Sequence, residues 1–195
     1  MVEIQAHRAN DQLSLRRLLA AGPSSIEVDV GLAGSRVVVA HDLDHGDASG
    51  LTLEQILDGA GSTPLVVEAK CVPPLTPAAD EFARALRPYL DRIAVASFDE
   101  RVLREVRRLR SVPTTFLFEE PLRIATSAAT LGPRHDLVTR DLVDAAHTLA
   151  LRVVPWTVND VRDLAAILDL GVDGVVTDEP ALARAVAASR LPLAA

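Results

Sequence analysis

What the chain is short of narrows its class. One cysteine, Cys71, in 195 residues excludes an internal disulfide and fits a reducing cytoplasm; its own role reads as a small, half-buried hydrophobe. No apolar run approaches the roughly 18 residues that a membrane helix needs, so no stable membrane insertion is expected. The start, Met1-Val2-Glu3-Ile4, enters a strand pattern without a basic region or cleavage site, and no signal peptide is expected. Twenty Lys and Arg against 27 Asp and Glu leave a net charge of −7, with no basic surplus to meet the phosphates of a nucleic acid. Aromatics make up only 3%. Lysine is scarce among the cations: Lys70 is the one lysine beside 19 arginines, which suggests that a compact ammonium is needed at that position.

What is present is 49% hydrophobic residues in a regular alternation. Apolar strand patterns fall at 2–8, 26–30, 64–70, 93–98, 114–118, 136–139, 152–158 and 174–177. Amphipathic helical patterns fall at 12–21, 51–57, 78–90, 100–109, 121–130, 140–149, 161–170 and 181–188. Asp11 suits a helix N-cap and Gly22 a stop; Thr52 and Glu54 open the second helix. After the second strand, 32–35 reads as a turn and 36–40 as a returning strand ending at His41-Asp42, a hairpin because the gap is too short for a helix. Residues 44–50 read as a polar loop and 72–77 as a proline-rich one. Strands apolar on both faces, alternating with helices, imply a parallel sheet. Eight such units imply an α/β fold, a small (β/α)8 TIM barrel with a β-hairpin after strand 2, spanning residues 1–195 as a single domain. An open doubly wound sheet is the alternative, weakened because no glycine-rich phosphate loop follows the first strand.

Within Ile26-Glu27-Val28-Asp29-Val30, the two acids sit two residues apart and share one face of a strand that otherwise reads as buried. Two anions side by side in a core repel, and a divalent cation between them is the simplest remedy; an exposed edge strand carrying acids is the alternative. In a barrel, function collects at the C-terminal rim. His7-Arg8, Glu27 and Asp29, His41, Glu68 and Lys70, Trp156 with Thr157 and Asn159, and Thr177-Asp178 all fall at strand ends on that rim. Three carboxylates suit Mg²⁺ or Ca²⁺, two histidines can share acid and base work, and Arg8 with Lys70 supplies charge for a phosphate. Together they suit phosphodiester cleavage, and no histidine-rich zinc set or serine elbow competes. Glu68 has a plain alternative as the partner of Lys70, and Trp156 as barrel packing. His135 and His147 read as surface or helix positions, and the arginines at 101, 104, 107, 108 and 110 as a solvated helix face.

In this order the residues resemble the glycerophosphodiester phosphodiesterases. His7-Arg8 is similar to that family's opening His-Arg, with Ala9 where a glycine normally follows. Glu27-Val28-Asp29 resembles its Glu-x-Asp strand, Val37 to Asp42 its hairpin ending in His-Asp, and Thr52-Leu53-Glu54 the stretch before its Glu-x-Lys, here Glu68-Ala69-Lys70. Ser97-Phe98-Asp99, Trp156-Thr157-Val158-Asn159 and Gly171 to Asp178 complete the pattern. The resemblance implies that Glu27, Asp29 and Glu68 hold the metal, that His7 and His41 are the acid/base pair, and that Arg8 and Lys70 touch phosphate. It also implies that Trp156 walls the substrate pocket, with Asn10 standing in for the family's asparagine there. The implied reaction has a neighbouring substrate hydroxyl attack phosphorus to give a cyclic phosphate. Two departures stand out: the loop after Arg8 is shortened, and only Leu43 to Leu51 remains where the family carries an insertion over the glycerol end. A more open mouth is expected, with His45 a candidate pocket residue. The expectation is a cytoplasmic, metal-dependent phosphodiesterase acting on small glycerophosphodiesters or lysophospholipids, the latter as in lysophospholipase D-type relatives. A non-catalytic phospho-ligand-binding barrel, or a minimal barrel shaped for stability, is the alternative.

Overall fold

Eight strands run parallel in one sheet that rolls into a barrel; the computed structural model describes residues 2–41, 51–70, 79–121 and 124–190. The order along the chain is β1 (Glu3–Ala6), α1 (Gln12–Ala20), β2 (Ser25–Ala33), β3 (Arg36–Val39), α2 (Leu53–Ala60), β4 (Leu65–Ala69), α3 (Ala79–Leu86) and β5 (Ile93–Ser97). There follow α4 (Glu100–Leu109), β6 (Thr114–Phe118), β7 (Thr130–Pro133), α5 (Arg140–Thr148), β8 (Arg152–Val153), α6 (Val161–Asp169), β9 (Gly174–Thr177) and α7 (Pro180–Ala188). In space the parallel strands run β8-β7-β6-β5-β4-β2-β1-β9, with β3 antiparallel on the extended end of β2. The expected small TIM barrel with its hairpin is what forms.

Local signals explain most boundaries. Asp11 accepts the N–H groups of Leu13 and Ser14 at the start of α1, and the Ser14 hydroxyl returns the bond. Thr52 opens α2 by the same reciprocal arrangement, with Gln55 rather than Glu54 as its partner. Outward-facing Ile26, Val28, Val67 and Val95 are buried under the helices, which supply Leu18, Ile56, Phe82 and Leu103. A second core of Leu131, Val143, Val153, Leu164, Val175 and Ala183 covers the other half of the barrel.

The structure corrects the sequence reading at three places. The helix expected at 121–130 does not form among the described residues there. Thr126 Oγ1 accepts the Ala128 N–H and Glu100 accepts the Ser127 N–H, a side-chain capture that competes with helix formation. The strand expected at 136–139 lies earlier, as β7, where Thr130 to Pro133 bond to β6; His135–Leu137 is a 3-10 turn instead. The strand expected over 152–158 stops after Val153, because Pro155 has no N–H for the ladder. Closure of the barrel passes instead through single bonds from β8 and its extension to β9: Asp173 N to Val153 O at 2.9 Å, Val176 N to Pro155 O at 2.8 Å and Val158 N to Val176 O at 2.9 Å. Cys71, His45 and the two loops expected at 44–50 and 72–77 lie outside the described residues. Among the described residues no helix is long and apolar enough to cross a membrane.

Register sets what meets on the rim. Asp29 pairs with Glu68 between β2 and β4. Ala6 pairs with both Ile26 and Thr177, so the next residues along, His7, Glu27 and Asp178, arrive at one level from three neighbouring strands.

Candidate functional site

Glu27, Asp29 and Glu68 are buried and each turns one carboxylate oxygen to within 4.8 Å of the others, as expected for a shared metal site. Lys70 Nζ reaches Asp29 Oδ1 at 2.9 Å and Glu68 Oε1 at 2.6 Å. Arg8 Nε stands 3.7 Å from Asp29 Oδ2. Burial, then the charges of Asp29 and Glu68, push the Glu27 carboxyl well above the ordinary glutamate range. Burial also raises Glu68, against the pull of Lys70. For Asp29, burial is outweighed by Lys70 and by the Asn10 amide, and its carboxyl is held low. Lys70 stays firmly protonated, because Glu68 and Asp29 overcome its own burial. Glu27 Oε1 is buried without a hydrogen-bond partner among the described residues. An orphaned oxygen in a ring of hard oxygen donors fits a divalent cation of the Mg²⁺ or Ca²⁺ kind.

The surroundings hold these carboxylates in place. The Arg8 N–H donates to Glu27 Oε2 at 2.8 Å, from a residue whose φ of +58° lies in the left-handed region. Asn10 brackets Asp29: its amide nitrogen donates to Asp29 Oδ2 at 2.8 Å and its oxygen accepts the Asp29 N–H at 2.9 Å. Asn10 thus faces Asp29 and is not among the residues lining the cavity described below.

His7 and His41 line one cavity of about 780 Å³ together with Arg8, Glu27, Glu68 and Lys70. The His7 ring is fixed through Nδ1, which lies 2.8 Å from Asp178 Oδ1, leaving Nε2 as its second nitrogen. Asn159 completes the clamp: its amide donates to Asp178 Oδ2 at 2.6 Å and its oxygen accepts the Asp178 N–H at 2.9 Å. Burial lowers the His7 pKa against the opposing pull of Asp178. His41 Nε2 meets the Arg8 guanidinium. Trp156 lines the cavity, anchored by its indole N–H to the Gly132 carbonyl at 2.7 Å, and Phe98 meets it edge-on with ring centres 5.4 Å apart.

Asp178 and Asn159 were visible in the sequence as rim residues without a role. The signal that assigns one is the alignment of Ala6 with Thr177, which sets Asp178 beside His7.

A sequence model of the Glycerophosphoryl diester phosphodiesterase family matches residues 72–182, more than half of the chain. A glycerophosphodiester phosphodiesterase from Caldanaerobacter subterraneus subsp. tengcongensis is 25% identical over 215 residues, with 88% of each chain covered. Among solved structures, a glycerophosphodiester phosphodiesterase from Parabacteroides distasonis superposes with a TM-score of 0.81 at 21% identity, over 98% of both chains. An Oleispira antarctica phosphodiesterase, solved in complex with the product sn-glycerol-3-phosphate, gives 0.79 at 18% identity, over 95% of this chain and 96% of that one.

Proposed function

The chain belongs to the glycerophosphoryl diester phosphodiesterase family, and from that premise we propose that it cleaves glycerophosphodiesters in a divalent-metal-dependent reaction in which His7 and His41 divide the proton transfers. The observation that carries this reading is the meeting of three buried carboxylates, one ammonium and two imidazoles at one end of one cavity.

Glu27, Asp29 and Glu68 would hold the ion, whose positive charge when bound polarises the phosphoryl oxygens. Arg8 and Lys70 place further positive charge where a phosphate would sit. One imidazole takes the proton of the substrate hydroxyl that attacks phosphorus, and the other protonates the departing oxygen. Asp178 keeps the His7 ring in one orientation through that exchange. Trp156 offers an apolar wall to the substrate. The reading extends to related lysophospholipids, because only Leu43 to Leu51 stands where the family carries its insertion over the glycerol end. It also sets the protein in the cytoplasm, which the lone Cys71 supports.

The test is turnover of a diester panel, glycerophosphocholine included, by purified protein with Mg²⁺ or Ca²⁺. Chelation is expected to abolish product, and His7→Ala or His41→Ala to lower kcat by roughly 10²- to 10⁴-fold. Tight phosphate-dependent binding with no product, or turnover that survives both substitutions and chelation, would remove this reading.

A further inference from the structure

TIM barrels are normally filled along the axis by layers of bulky branched side chains. Here the cavity that begins at His7 and the carboxylates continues down the barrel axis to Glu3 and Arg152 at the opposite end. Its middle is walled mainly by small or short residues, Val66, Ala94, Ala96, Thr115, Val154 and Val176, to which Gln5 and Thr130 add polar groups. Alternation along the strands shows that solvent reaches this lumen. On β4, inward Val66 keeps 8% exposure while outward Val67 has none; beside β8, Val154 keeps 5% while Val153 has none. An eight-stranded barrel has an interior that large side chains fill, or that holds one small ligand when they are small. The cavity of which this lumen is the middle measures about 780 Å³ with both ends included, ligand-sized and far beyond a packing defect.

We propose that this axial lumen is a binding site for a hydrocarbon chain carried by the diester substrate, a reading that rests on the phosphodiesterase activity proposed above. Three observations select that occupant. The lumen is continuous with the phosphate end, so a chain entering it remains attached to a group held at the carboxylates. Its middle is mainly apolar, with Val66, Ala96 and Leu117 forming a cluster against which Ala94 and Trp156 pack, and its polar points, Gln5, Thr115 and Thr130, are uncharged, so a charged group finds no counter-charge among them. Toward the far end polar groups bound the apolar stretch: Arg152 donates to Glu3 Oε2 at 2.6 Å, Ser25 Oγ donates to Glu3 Oε1 at 2.9 Å, and Asp91, Arg92 and Arg110 line the cavity there as well. From His7 to Glu3, four residues along a tilted strand, the axial depth is about 11 Å. That depth takes a short-to-medium alkyl chain and leaves the remainder of a long one outside.

The chain's single tryptophan, Trp156, sits against this cluster and makes the lumen testable without turnover. The probe is a series of alkylphosphocholines from ethyl to hexadecyl, brominated within the chain; they lack the neighbouring hydroxyl that the proposed reaction uses. Saturable quenching of Trp156 is expected, with affinity rising by up to roughly fourfold per methylene while each is fully buried, then levelling beyond the medium-length members. Ala94→Phe, which fills the lumen, is expected to remove the length dependence; Val154→Phe on another wall does the same if the first variant fails to fold. Affinity flat with chain length in the wild type, or length dependence that persists in a folded filled variant, overturns the lumen site. Wild-type turnover of glycerophosphocholine is measured in parallel, so loss of the lumen site and loss of the enzymatic reading are told apart.

Discussion

His7 Nδ1 lies 2.8 Å from Asp178 Oδ1, although 171 residues separate the two. The contact follows from the closure of the barrel, which lays β9 beside β1 in register. It ties the Nδ1 of the imidazole and leaves Nε2 as the second nitrogen, an orientation that Asn159 reinforces by gripping Asp178 at two points.

Replacing Asp178 by Asn should lower kcat by roughly ten- to a hundredfold, a part of what acid/base catalysis as a whole contributes. The pH dependence separates this from simple misfolding. Burial lowers the His7 pKa and Asp178 opposes that shift. Without the carboxylate, burial acts unopposed, so the His7 limb of the kcat/KM profile moves to lower pH. A limb that stays where it was would show that Asp178 does not act through His7.

Glu27 is the carboxylate with the most to gain from a cation, because its Oε1 lacks a partner among the described residues and its neighbours are Asp29 and Glu68. Glu27→Gln keeps an oxygen for the Arg8 N–H and removes the charge. The metal-free variant should be more stable than metal-free wild type, by about 1–2 kcal/mol. Wild type should gain about 2.7 kcal/mol from Mg²⁺ or Ca²⁺ at a hundredfold excess over Kd, roughly 5–11 °C in Tm, and the variant almost none. Thermal unfolding with and without the ion measures both.

The same pair of proteins yields a pH test. Glu27 and Glu68 have folded pKa values raised above the ordinary 4.5. The metal-free folded chain therefore retains protons that the unfolded chain has released, and stability falls as pH rises from 4.5 through the raised values. Glu27→Gln removes the larger share of that slope. The Tm difference between variant and wild type should widen with pH above 4.5; a constant gap would mean that Glu27 is charged throughout.

The carboxylate triad was legible because Glu27-x-Asp29 falls near the end of the stretch of β2 that pairs with β4, and Glu68-x-Lys70 at the end of β4, and these ends share one rim of the barrel. Asp178 was present in that survey without a role, because only the β1–β9 register tells which strand end it faces. The helix expected at 121–130 rested on the regular alternation of strand and helix patterns, which yields where Thr126 and Glu100 take the backbone N–H groups. Asn10 was read as a pocket residue by its place after Arg8; its hydrogen bonds to Asp29 depend on where the chain turns into α1, which the sequence alone does not give.

That partnership makes a prediction. Asn10→Ala removes both hydrogen bonds to Asp29 and leaves a buried carboxylate less well held. Metal affinity should fall by roughly 10- to 100-fold, as for other groups that orient metal ligands, with a stability loss of about 1–3 kcal/mol. Titration calorimetry with Mg²⁺ or Ca²⁺ checks the first figure. An unchanged affinity would assign Asn10 to the substrate instead.

Arg8 serves two ends at once, and substitutions can separate them. Its guanidinium stands beside Asp29 and His41, while its backbone, at φ +58°, bends so that the N–H reaches Glu27. Arg8→Ala and Arg8→Gly both delete the guanidinium, and both should lower kcat/KM by roughly 10²- to 10³-fold, the cost of losing one preorganised charge at a reacting centre. They differ in the backbone alone. Elsewhere glycine is about 0.5–1 kcal/mol less stable than alanine, whereas a left-handed residue other than glycine costs about 1–2 kcal/mol. Arg8→Gly should therefore unfold at higher urea than Arg8→Ala, by a net of about 1 kcal/mol. If alanine proves the more stable of the two, the left-handed turn after His7 is not the native conformation, and the placement of the Arg8 N–H on Glu27 falls with it.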